Sequence, residues 1–346
     1  MTSASDAAPT VQWALPTFPH EIADEPELRT VEQAFLTRVR QGPLRTVEVP
    51  IRWLTGAVHD AEGHLLVASQ KIGGLGGNQG AQADPRRVTP RADATSLPGT
   101  WLYGGHWIGH FGHFFTETLT TLWPKRDSLD VAPQGLVFHR YFGRHAGLQD
   151  WQLELLELTG YGDLPIEVVD AEPRQVERLL LPSRSVVVNG WAHPGARELW
   201  QRMADAAGVR PHGEKVFFSR RVFNEAKRAA GKPVRTSEQR DVRLDRVFSD
   251  AGFRVIAPED LPVIEQLRLA GGASVLAGSA GTALHLSAFA PAATRVIEIG
   301  DSRSPTVQVP HQRVVDCLRE HPTAYVPFAV PVPRLREVLR ALDVWG

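Results

Sequence analysis

The stretch Gly252–Gly300, GFRVIAPEDLPVIEQLRLAGGASVLAGSAGTALHLSAFAPAATRVIEIG, decides the fold of the C-terminal half. Three short apolar runs, FRVIA, ASVLAG and TRVIEIG, alternate in it with segments of helical pattern. Such runs between helices are typical of parallel strands buried on both faces. Working outward, we predict a strand at Val216–Ser219, a helix at Ser237–Ala251 and a short strand at Ala324–Val326. The sequence therefore predicts a doubly wound α/β domain that begins near residue 213.

Small and polar residues follow these predicted strands, at the edge where open parallel sheets bind ligands. Arg220 follows the first strand, Glu259 the second and the turn Ser279–Thr282 the third. Small residues such as Gly281 let the backbone approach a ligand, and the next helix offers unpaired N–H groups to an anion. Arginine binds phosphate through two parallel hydrogen bonds. These features indicate a diphosphate site; the alternative is that the glycines serve only helix–strand packing and Arg220 is a surface charge.

Two further residues at this edge have open interpretations. Glu298 alternates with isoleucines on a predicted buried strand, where an acidic side chain without a partner is rare. It would either accept hydrogen bonds from a ribose or pair with an arginine such as Arg295 or Arg313. His285, one turn into the glycine-rich helix, would either reach a phosphate or a sugar hydroxyl, or be a hydrogen-bonded histidine of the core.

The N-terminal half alternates strand and helix less regularly. We predict a short helix at Val31–Val39, a β-hairpin at Val47–Ser69 and a long loop at Lys71–Pro98. The chain is therefore divided into an α/β domain at residues 1–205 and the doubly wound domain at residues 206–346. Further predicted elements are the helices Gly112–Trp123 and Trp151–Leu158 and the strands Gly135–Phe138, Ile166–Val169 and Arg178–Leu181.

The segment GGHWIGHFGHFFTETLTTLWP contains three histidines and a carboxylate. His106, His110, His113 and Glu117 are spaced by four, three and four residues, so one helical face would carry all four and could bind zinc. Glycines disfavour a helix before Gly112, which leaves His113 and Glu117 as the helical pair. A carboxylate beside an imidazole raises its basicity, as a general base requires. The alternative is an amphipathic helix that only packs on the core.

The composition is that of a globular protein without a strong net charge. The 346 residues include 38 basic and 39 acidic side chains, a formal net charge of −1, so no basic field favours nucleic acid. The single cysteine, Cys317, excludes an intramolecular disulfide and fits a reducing cytoplasm. No secretory signal and no run of about 18–20 apolar residues is present. We expect a soluble cytoplasmic protein, with peripheral membrane association left open.

The segment GHFFTETLTTLW resembles the GHF-x-x-E-x-L-x-R-L-W motif of glycosyltransferase family 61, which includes bacterial members assigned to capsular polysaccharide synthesis. The later motifs follow in a similar order: FFSRR, the pair Ser237–Glu238 that opens a helix, and the P-E, E-Q, glycine-rich and V-I-E motifs of Gly252–Gly300. The resemblance covers about residues 100–125 and 215–300. Each motif is weak alone, and their common order makes the resemblance specific.

The resemblance implies a GT-B fold, in which two Rossmann-like domains face each other across a cleft. Residues 1–205 would form the acceptor side, with His113 and Glu117 facing a glycan acceptor, and residues 206–346 would bind the nucleotide-sugar. The implied reaction inverts the anomeric carbon and needs no metal or other cofactor. The nucleotide-sugar co-substrate is expected to be UDP-linked.

The family motifs also imply roles for single residues of the donor side. Arg220 would contact the diphosphate, and Gly281–Thr282 would cradle it. Glu298 would lie near the nucleoside, and the pair Glu265–Gln266 would support the donor site. The chain departs from the family in the segment Ala280–Leu286, where many members have His-Gly-Ala-Gly-Leu-Thr-Asn and this chain lacks the His and the Asn.

Two more departures concern Thr121, where the family has the Arg of R-L-W, and Ser237, where it has the Asn of N-E. We expect an inverting glycosyltransferase in which Glu117 or His113 is the general base and Arg220 stabilises the leaving diphosphate. One alternative is a non-catalytic protein of the same fold that binds a sugar nucleotide or a polysaccharide. Another is a zinc hydrolase built on the three histidines.

Overall fold

The computed structural model of the chain describes residues 11–22, 25–40, 53–71, 81–82, 86–141 and 147–346. These residues form two compact units. The N-terminal unit extends from Phe18 to Met203, and the C-terminal unit comprises Ala204–Gly346 with the described residues that precede Phe18. Each unit has its own main β-sheet together with helices, so the protein is of the mixed α/β class that the sequence predicts.

The main sheet of the N-terminal unit is mixed. The described strands are β1 (Leu28–Leu36), β2 (Trp53–Leu54), β3 (Val58–His59), β4 (Ala81–Gln82), β5 (Thr95–Trp107), β6 (Gly135–Arg140), β7 (Ile166–Val169), β8 (Arg174–Pro182), β9 (Val186–Val187) and β10 (Trp191–Ala192). Six of these strands form the sheet in the order β3-β1-β8-β5-β6-β7. Strands β8, β5, β6 and β7 are parallel to their neighbours in this run, whereas β1 is antiparallel to β3 and β8. The strands predicted at β6, β7 and β8 are confirmed.

A continuous helical stretch from Phe111 to Leu122 confirms the helix predicted at Gly112–Trp123. It widens into a π-helical turn at Phe114–Thr118, which contains Glu117. Such turns are rare and occur frequently at functional sites. The helices of this half are α1 (Phe111–His113), the π turn Phe114–Thr118, the 3₁₀ turns Val67–Ser69, Leu119–Leu122 and Arg126–Ser128, α2 (Asp150–Leu156), the π turn Glu157–Tyr161 and α3 (Pro194–Ala206).

The prediction of a helix at Val31–Val39 is wrong, because this segment lies largely in β1. Its apolar residues Val31, Ala34 and Phe35 have the spacing of a helical face, which the prediction followed. In the structure β1 pairs with β8 along most of its length, with Val31 opposite Leu179. The hydrogen bonds that fix β1 therefore come from a strand more than a hundred residues away, which a local pattern does not show.

The central strand β5 was not predicted, since it contains glycines that interrupt a strand pattern. A Cβ atom on Gly104 would lie 1.9 Å from the Phe138 ring. Gly105 has a φ of +81° and lies beside Thr121, so it needs the conformational freedom of glycine. The register with β6 shifts between Tyr103 and His106, which marks a bulge. The same glycines that exclude a helix here permit a bent, closely packed strand.

The predicted hairpin and loop before β5 are described only in part. Residues 41–52, 72–80 and 83–85 lie outside the described residues. In the described part of the hairpin, a single antiparallel bridge joins His59 to Leu65 across the turn. The predicted second strand is wrong in part, because Val67–Ser69 forms a 3₁₀ turn, and Trp53–Leu54 pairs in parallel with Ala81–Gln82 instead. Strand β5 begins at Thr95, so the loop ends before Pro98.

The C-terminal unit confirms the predicted alternation of strands and helices. Its strands are β11 (Lys215–Phe218), β12 (Arg254–Ile256), β13 (Val275–Ser279), β14 (Arg295–Ile299) and β15 (Thr323–Val326). They form one sheet in the order β12-β11-β13-β14-β15, and every neighbouring pair is parallel. The helices are α4 (Arg221–Ala229), α5 (Glu238–Asp250), α6 (Val263–Gly271), α7 (Pro310–Arg319), α8 (Leu335–Ala341) and the 3₁₀ helices Pro258–Asp260, Thr282–Phe289 and Val332–Arg334. Helices α4 and α7 were not predicted.

Alternate residues of these strands pack against different helices. Ala277 and Ile297 belong to a buried cluster that includes side chains of α5 and α8. On the other face, a Cβ atom on Gly278 would lie 3.6 Å from Leu284 of the 3₁₀ helix Thr282–Phe289. The sheet is thus covered on both faces, which explains why its strands read as continuous apolar runs.

We predict that Phe248→Ala destabilises the C-terminal unit by about 3–5 kcal/mol, because it leaves a cavity in a close-packed core. Phe248 is fully buried on α5, and its ring stacks on that of Phe217 with centroids 4.0 Å apart. Urea denaturation followed by circular dichroism measures the free energy of unfolding. Val242→Ala is the control on the same helix, because Val242 is 48% exposed. Equal stability of both variants would contradict this packing.

Candidate functional site

The order of the C-terminal strands creates a switch point between β11 and β13. The chain leaves β11 toward β12 on one side, and β13 lies on the other side of β11. In doubly wound sheets with this order, ligands bind beyond the carboxyl ends of the strands at such a point. Arg220 follows β11 and the turn Ser279–Thr282 follows β13. Two elements of the predicted site therefore occupy the same end of neighbouring strands.

Arg220 lies directly against this turn. Its Nη1 donates a hydrogen bond to the Ala280 carbonyl at 3.1 Å, and its guanidinium lies 5.0 Å from the centroid of the Phe223 ring. A Cβ atom on Gly281 would lie 2.0 Å from Nη1 of Arg220. Glycine at this position is therefore what allows the guanidinium to approach the backbone.

The turn leads into a helix whose first amides are available to a ligand. The 3₁₀ helix Thr282–Phe289 begins after Gly281, and no side chain of the described residues caps it. The amide of Ala280 is engaged by the Ile299 carbonyl at 2.7 Å. The amides that follow lie at the positive end of a helix, which favours an anion. Thr282 is half-buried at this position, and Ser279 is buried at the end of β13.

Two arginines that the sequence analysis did not single out belong to the same region. Nη1 of Arg235 lies 3.4 Å from Oδ2 of the buried Asp301, just after β14. Oδ1 of Asp301 accepts a hydrogen bond from the backbone N–H of Arg303 at 2.8 Å. We call Arg220, Arg235, Arg303 and the turn Ser279–Thr282 the anion cradle.

The charges in the anion cradle act on one another. Burial lowers the pKa of Arg220 below its ordinary value, and the positive charge of Arg235 and that of Arg303 lower it further. The carboxylates of Asp301 and Glu259 act in the opposite direction. Arginine stays protonated in proteins, so the cradle concentrates positive charge that an anionic ligand would stabilise.

A buried hydrogen-bond network fixes the chain next to Arg235. Thr236 donates from Oγ1 to Oδ1 of Asp241 at 2.6 Å. Asn224 donates to both Thr236 and Asp241 at 2.9 Å, and Arg228 donates to the Thr236 carbonyl at 3.1 Å. Helices α4 and α5 thereby hold the connection between them. The position of Arg235 depends on these side chains, which sequence spacing alone does not reveal.

Glu259, Glu265 and Gln266, which the sequence analysis assigned to the donor site, lie in three different surroundings. The pKa of Glu259 is raised by burial, and the charge of Arg220 opposes this rise, so Glu259 lies within the field of the anion cradle. Glu265 instead lines a pocket of about 350 Å³, together with Arg254 and Arg268. Gln266 donates from its side chain to the Leu261 carbonyl at 3.0 Å, within its own unit.

Glu298 is fully buried on β14. Its Oε1 accepts a hydrogen bond from the Val309 N–H at 3.3 Å, and its Oε2 has no hydrogen-bond partner among the described residues. Burial raises its pKa well above the ordinary value, and the nearby Asp316 raises it further. Neither arginine considered for it is a partner: Arg313 donates to Thr17, and Arg295 lies over Trp13. The ribose contact stays a prediction and would require this side chain to become accessible.

His285 lies in a buried polar network. Its Nδ1 is 2.7 Å from Oε1 of Gln312, and its ring is 4.1 Å from that of His311. Nε2 of Gln312 donates to Ser287 at 2.9 Å and to Asp316 at 2.8 Å. These contacts are those of a hydrogen-bonded histidine of the core, which was the alternative to a phosphate or sugar contact.

In the N-terminal unit, the helical pair His113 and Glu117 forms as predicted, and a lysine joins it. Nδ1 of His113 is hydrogen-bonded to Oε1 of Glu117, and Nζ of Lys71 lies 2.6 Å from Oε2. The side chain of Glu117 is 2% exposed, whereas that of His113 is 38% exposed. Lys71 lies at the start of the predicted loop, and no local pattern indicates its role. We call Lys71, Glu117 and His113 the buried-carboxylate triad.

The electrostatics of the triad keep Glu117 ionised. Burial alone would raise its pKa, but the charge of Lys71 and the hydrogen bond and charge of His113 hold the pKa well below its ordinary value. A carboxylate so strongly stabilised is a weak base. Its hydrogen bond to Nδ1 instead fixes the orientation and tautomer of the His113 ring.

His106 does not join the other histidines of the segment, because it lies on β5 and is buried. Its Nε2 is 3.2 Å from the Gly56 carbonyl, and its Nδ1 is 3.2 Å from Nη2 of Arg184. Burial and the charge of Arg184 hold its pKa well below the ordinary value. Both ring nitrogens are engaged, so the zinc site built on three histidines has no geometric support. Among the described residues, the one cluster with metal-ligand spacing is Asp60, Glu62 and His64.

Comparison with known protein families identifies the chain. The profile of the family described as Glycosyltransferase 61 matches residues 111–297, more than half of the chain. The matched region includes His113, Glu117, Arg220 and the turn Ser279–Thr282. This family consists of sugar-transferring enzymes. The chain is a member of glycosyltransferase family 61.

A search of curated proteins found no match for this chain. Among the described residues, no helix combines the length and the apolar character that crossing a membrane requires.

We predict that Lys71→Met destabilises the N-terminal unit by about 3–5 kcal/mol, because it leaves the charge of Glu117 buried without its main partner. The double variant Lys71→Met/Glu117→Gln should recover much of this loss. Since the pKa of Glu117 is depressed on folding, the stabilisation by the triad is fully present above about pH 4.5 and is lost as the pH falls through the lower, folded-state value. Urea denaturation between pH 7 and pH 3 measures both effects. Additive losses in the double variant would contradict the pairing.

Proposed function

We propose that this glycosyltransferase moves a sugar from a nucleotide-sugar donor, expected to be UDP-linked, to a glycan or polysaccharide acceptor with inversion at the anomeric carbon. The observation that carries the proposal is the contact between Arg220 and the Ala280 carbonyl at the switch point, beside the uncapped start of a helix. A guanidinium and backbone amides at one point are the groups that bind a diphosphate.

In this proposal the anion cradle binds the donor and stabilises its leaving group. An acceptor hydroxyl attacks the anomeric carbon, and the bond between that carbon and the diphosphate oxygen breaks. Negative charge then develops on the departing nucleoside diphosphate. Hydrogen-bond donors that are already in place need no reorganisation as that charge forms. Arg220 and the amides after Gly281 therefore lower the barrier of the reaction. The positive charges of Arg235 and Arg303 also stabilise the negative charge on the leaving diphosphate.

The general base in this proposal is His113. Its exposed ring can meet an acceptor hydroxyl, whereas Glu117 is buried and held ionised by Lys71. Because Glu117 binds Nδ1, the attacking hydroxyl would transfer its proton to Nε2 of His113. Glu117 and Lys71 are then positioning residues. This arrangement follows the logic of a carboxylate that orients a catalytic histidine.

The wider features of the proposal follow the family resemblance. The N-terminal unit would bind the acceptor and the C-terminal unit the donor, in the two-domain GT-B arrangement, without a catalytic metal. Capsular polysaccharide synthesis and a cytoplasmic location, with or without peripheral membrane association, are the expected context. The second candidate is a non-catalytic sugar-nucleotide-binding protein, which the departures in Ala280–Leu286 favour.

One assay separates these two functions. Release of nucleoside diphosphate is measured with a panel of UDP- and GDP-linked sugars and mixed glycan acceptors. The proposed enzyme releases the diphosphate only when a suitable acceptor is added. Binding of a donor by calorimetry with no release from any acceptor would favour the non-catalytic candidate.

We predict that Gly281→Ala weakens binding of UDP by about tenfold or more, because the new methyl group displaces the Arg220 guanidinium from the turn and a charged hydrogen bond is worth about 1.5–3 kcal/mol. Arg220→Ala should show a loss of similar size. Arg221→Ala is the matched control, since its side chain pairs with Asp245 at 3.2 Å. Isothermal titration calorimetry measures the three affinities. Unchanged binding in both Gly281→Ala and Arg220→Ala would remove the anion cradle from the donor site.

We predict that His113→Ala lowers kcat by about 10²–10⁴-fold, the contribution of a general base, and leaves the affinity for UDP unchanged. The nearby His110→Ala is the control, since His110 is an exposed histidine of the same segment whose ring lies 5.0 Å from that of His113. Steady-state kinetics with the donor and acceptor found above give kcat, and calorimetry gives the affinity. A His113→Ala enzyme with normal turnover would assign the base elsewhere.

A further inference from the structure

A second pocket, of about 390 Å³, lies within the N-terminal unit. This volume falls within the range of about 300–1,000 Å³ that small-molecule sites have. Its walls come from the chain at the end of β1 and just beyond it, from β3 and from residues 86–91. None of the three residues of the buried-carboxylate triad lines it.

The charged lining of this pocket has a single sign. Among the residues that the structure describes, no acidic side chain lines it, and its cationic residues are Arg38, Arg40, Arg86, Arg87 and Arg91. Arg91 is paired with Asp93, with Nε and Oδ1 2.9 Å apart, and Nε of Arg87 donates to the Glu62 carbonyl at 2.8 Å. The last contact orients a guanidinium without neutralising it. Asp93 offsets the charge of Arg91, and the other arginines of the lining make this concave volume a region where an anion is stabilised.

Backbone hydrogen bonds fix the segment that carries three of these arginines. The Val88 N–H donates to the Gly63 carbonyl at 3.0 Å, and the Gly63 N–H donates to the Asp60 carbonyl at 3.0 Å. Gly63 has a φ of +84°, and a Cβ atom there would lie 1.7 Å from the Val88 carbonyl oxygen. The turn after β3 therefore needs glycine in order to seat residues 86–91 against the pocket.

Apolar surface lies beside the arginines. Phe35, which is buried, Val88 and Pro173 also line the pocket. Apolar groups of this kind pack against the C–H faces of a sugar ring, while guanidinium groups bind carboxylate or phosphate oxygens. A sugar that carries an oxyanion presents both surfaces at once.

We infer that this pocket binds an oxyanion-bearing sugar, either a uronic acid or a sugar phosphate, at a site distinct from the anion cradle. The binding itself follows from the pocket alone. That such a sugar belongs to the acceptor glycan rests on the proposed function. In that case the pocket selects acceptors that contain an acidic unit.

Calorimetry on the full chain, without any donor, tests the binding. The probes are glucuronic acid and glucose 6-phosphate, with glucose as the uncharged reference. At least one of the two anions should bind about tenfold more tightly than glucose, with an affinity that falls as salt is raised. Whichever anion binds identifies a carboxylate or a phosphate as the preferred group.

Variants locate the site. The double substitution Arg38→Gln/Arg87→Gln should lower the affinity for the anion about tenfold or more, while circular dichroism shows an unchanged fold, since both side chains are exposed. Arg29→Gln, which removes an exposed charge on β1 outside the pocket, and Arg220→Gln should both bind as the wild type does. Absence of binding by either anion, or full binding in the double variant, overturns the inference. Loss of binding in Arg220→Gln also overturns it, because the anion then occupies the cradle.

Discussion

The approach of the Arg220 guanidinium to the backbone turn at Gly281 is the contact on which the proposed chemistry of this protein depends. It exists because two parallel strands, β11 and β13, end side by side at the switch point of the sheet. It also requires the absence of a side chain at residue 281, where a Cβ atom would occupy the place of Nη1. The fold thus supplies the position and one glycine supplies the space. The helix that begins directly afterwards adds its amides at the same point.

Two buried glutamates show how the surroundings decide the charge of a carboxyl group. Glu117 is as fully desolvated as Glu298, yet a lysine and a histidine hold its pKa well below the ordinary value. For Glu298, burial and the nearby Asp316 outweigh the hydrogen bond from the Val309 N–H and raise the pKa well above the ordinary value. The first is therefore held in its charged form, in which it can orient His113, whereas the surroundings of the second favour the neutral form. Burial opposes ionisation in both, and only the partners differ.

The parts of the fold that follow from local pattern could be predicted, and the parts that depend on distant partners could not. The apolar runs at β13 and β14 each end at a glycine and are buried on both faces, so they read as strands. Strand β1 carries helix-like spacing and is fixed by β8, and β5 contains glycines whose purpose is visible only beside Phe138 and Thr121.

The same distinction holds for the candidate site. Residues at strand ends, such as Arg220, were found because topology alone brings strand ends together. Arg235 and Lys71 lie in connections, and their places depend on side-chain contacts with Asp301 and Glu117. The spacing of His106 from the other histidines suits a metal ligand, but its ring nitrogens are hydrogen-bonded to the Gly56 carbonyl and to Arg184.

The most direct measurement of the central claim is a crystal structure of the chain with UDP bound. The account predicts that the diphosphate oxygens lie within about 3 Å of the Arg220 guanidinium and of the backbone amides that follow Gly281, at hydrogen-bonding distance. A diphosphate bound away from the carboxyl ends of β11 and β13, with Arg220 still facing only the Ala280 carbonyl, would contradict it.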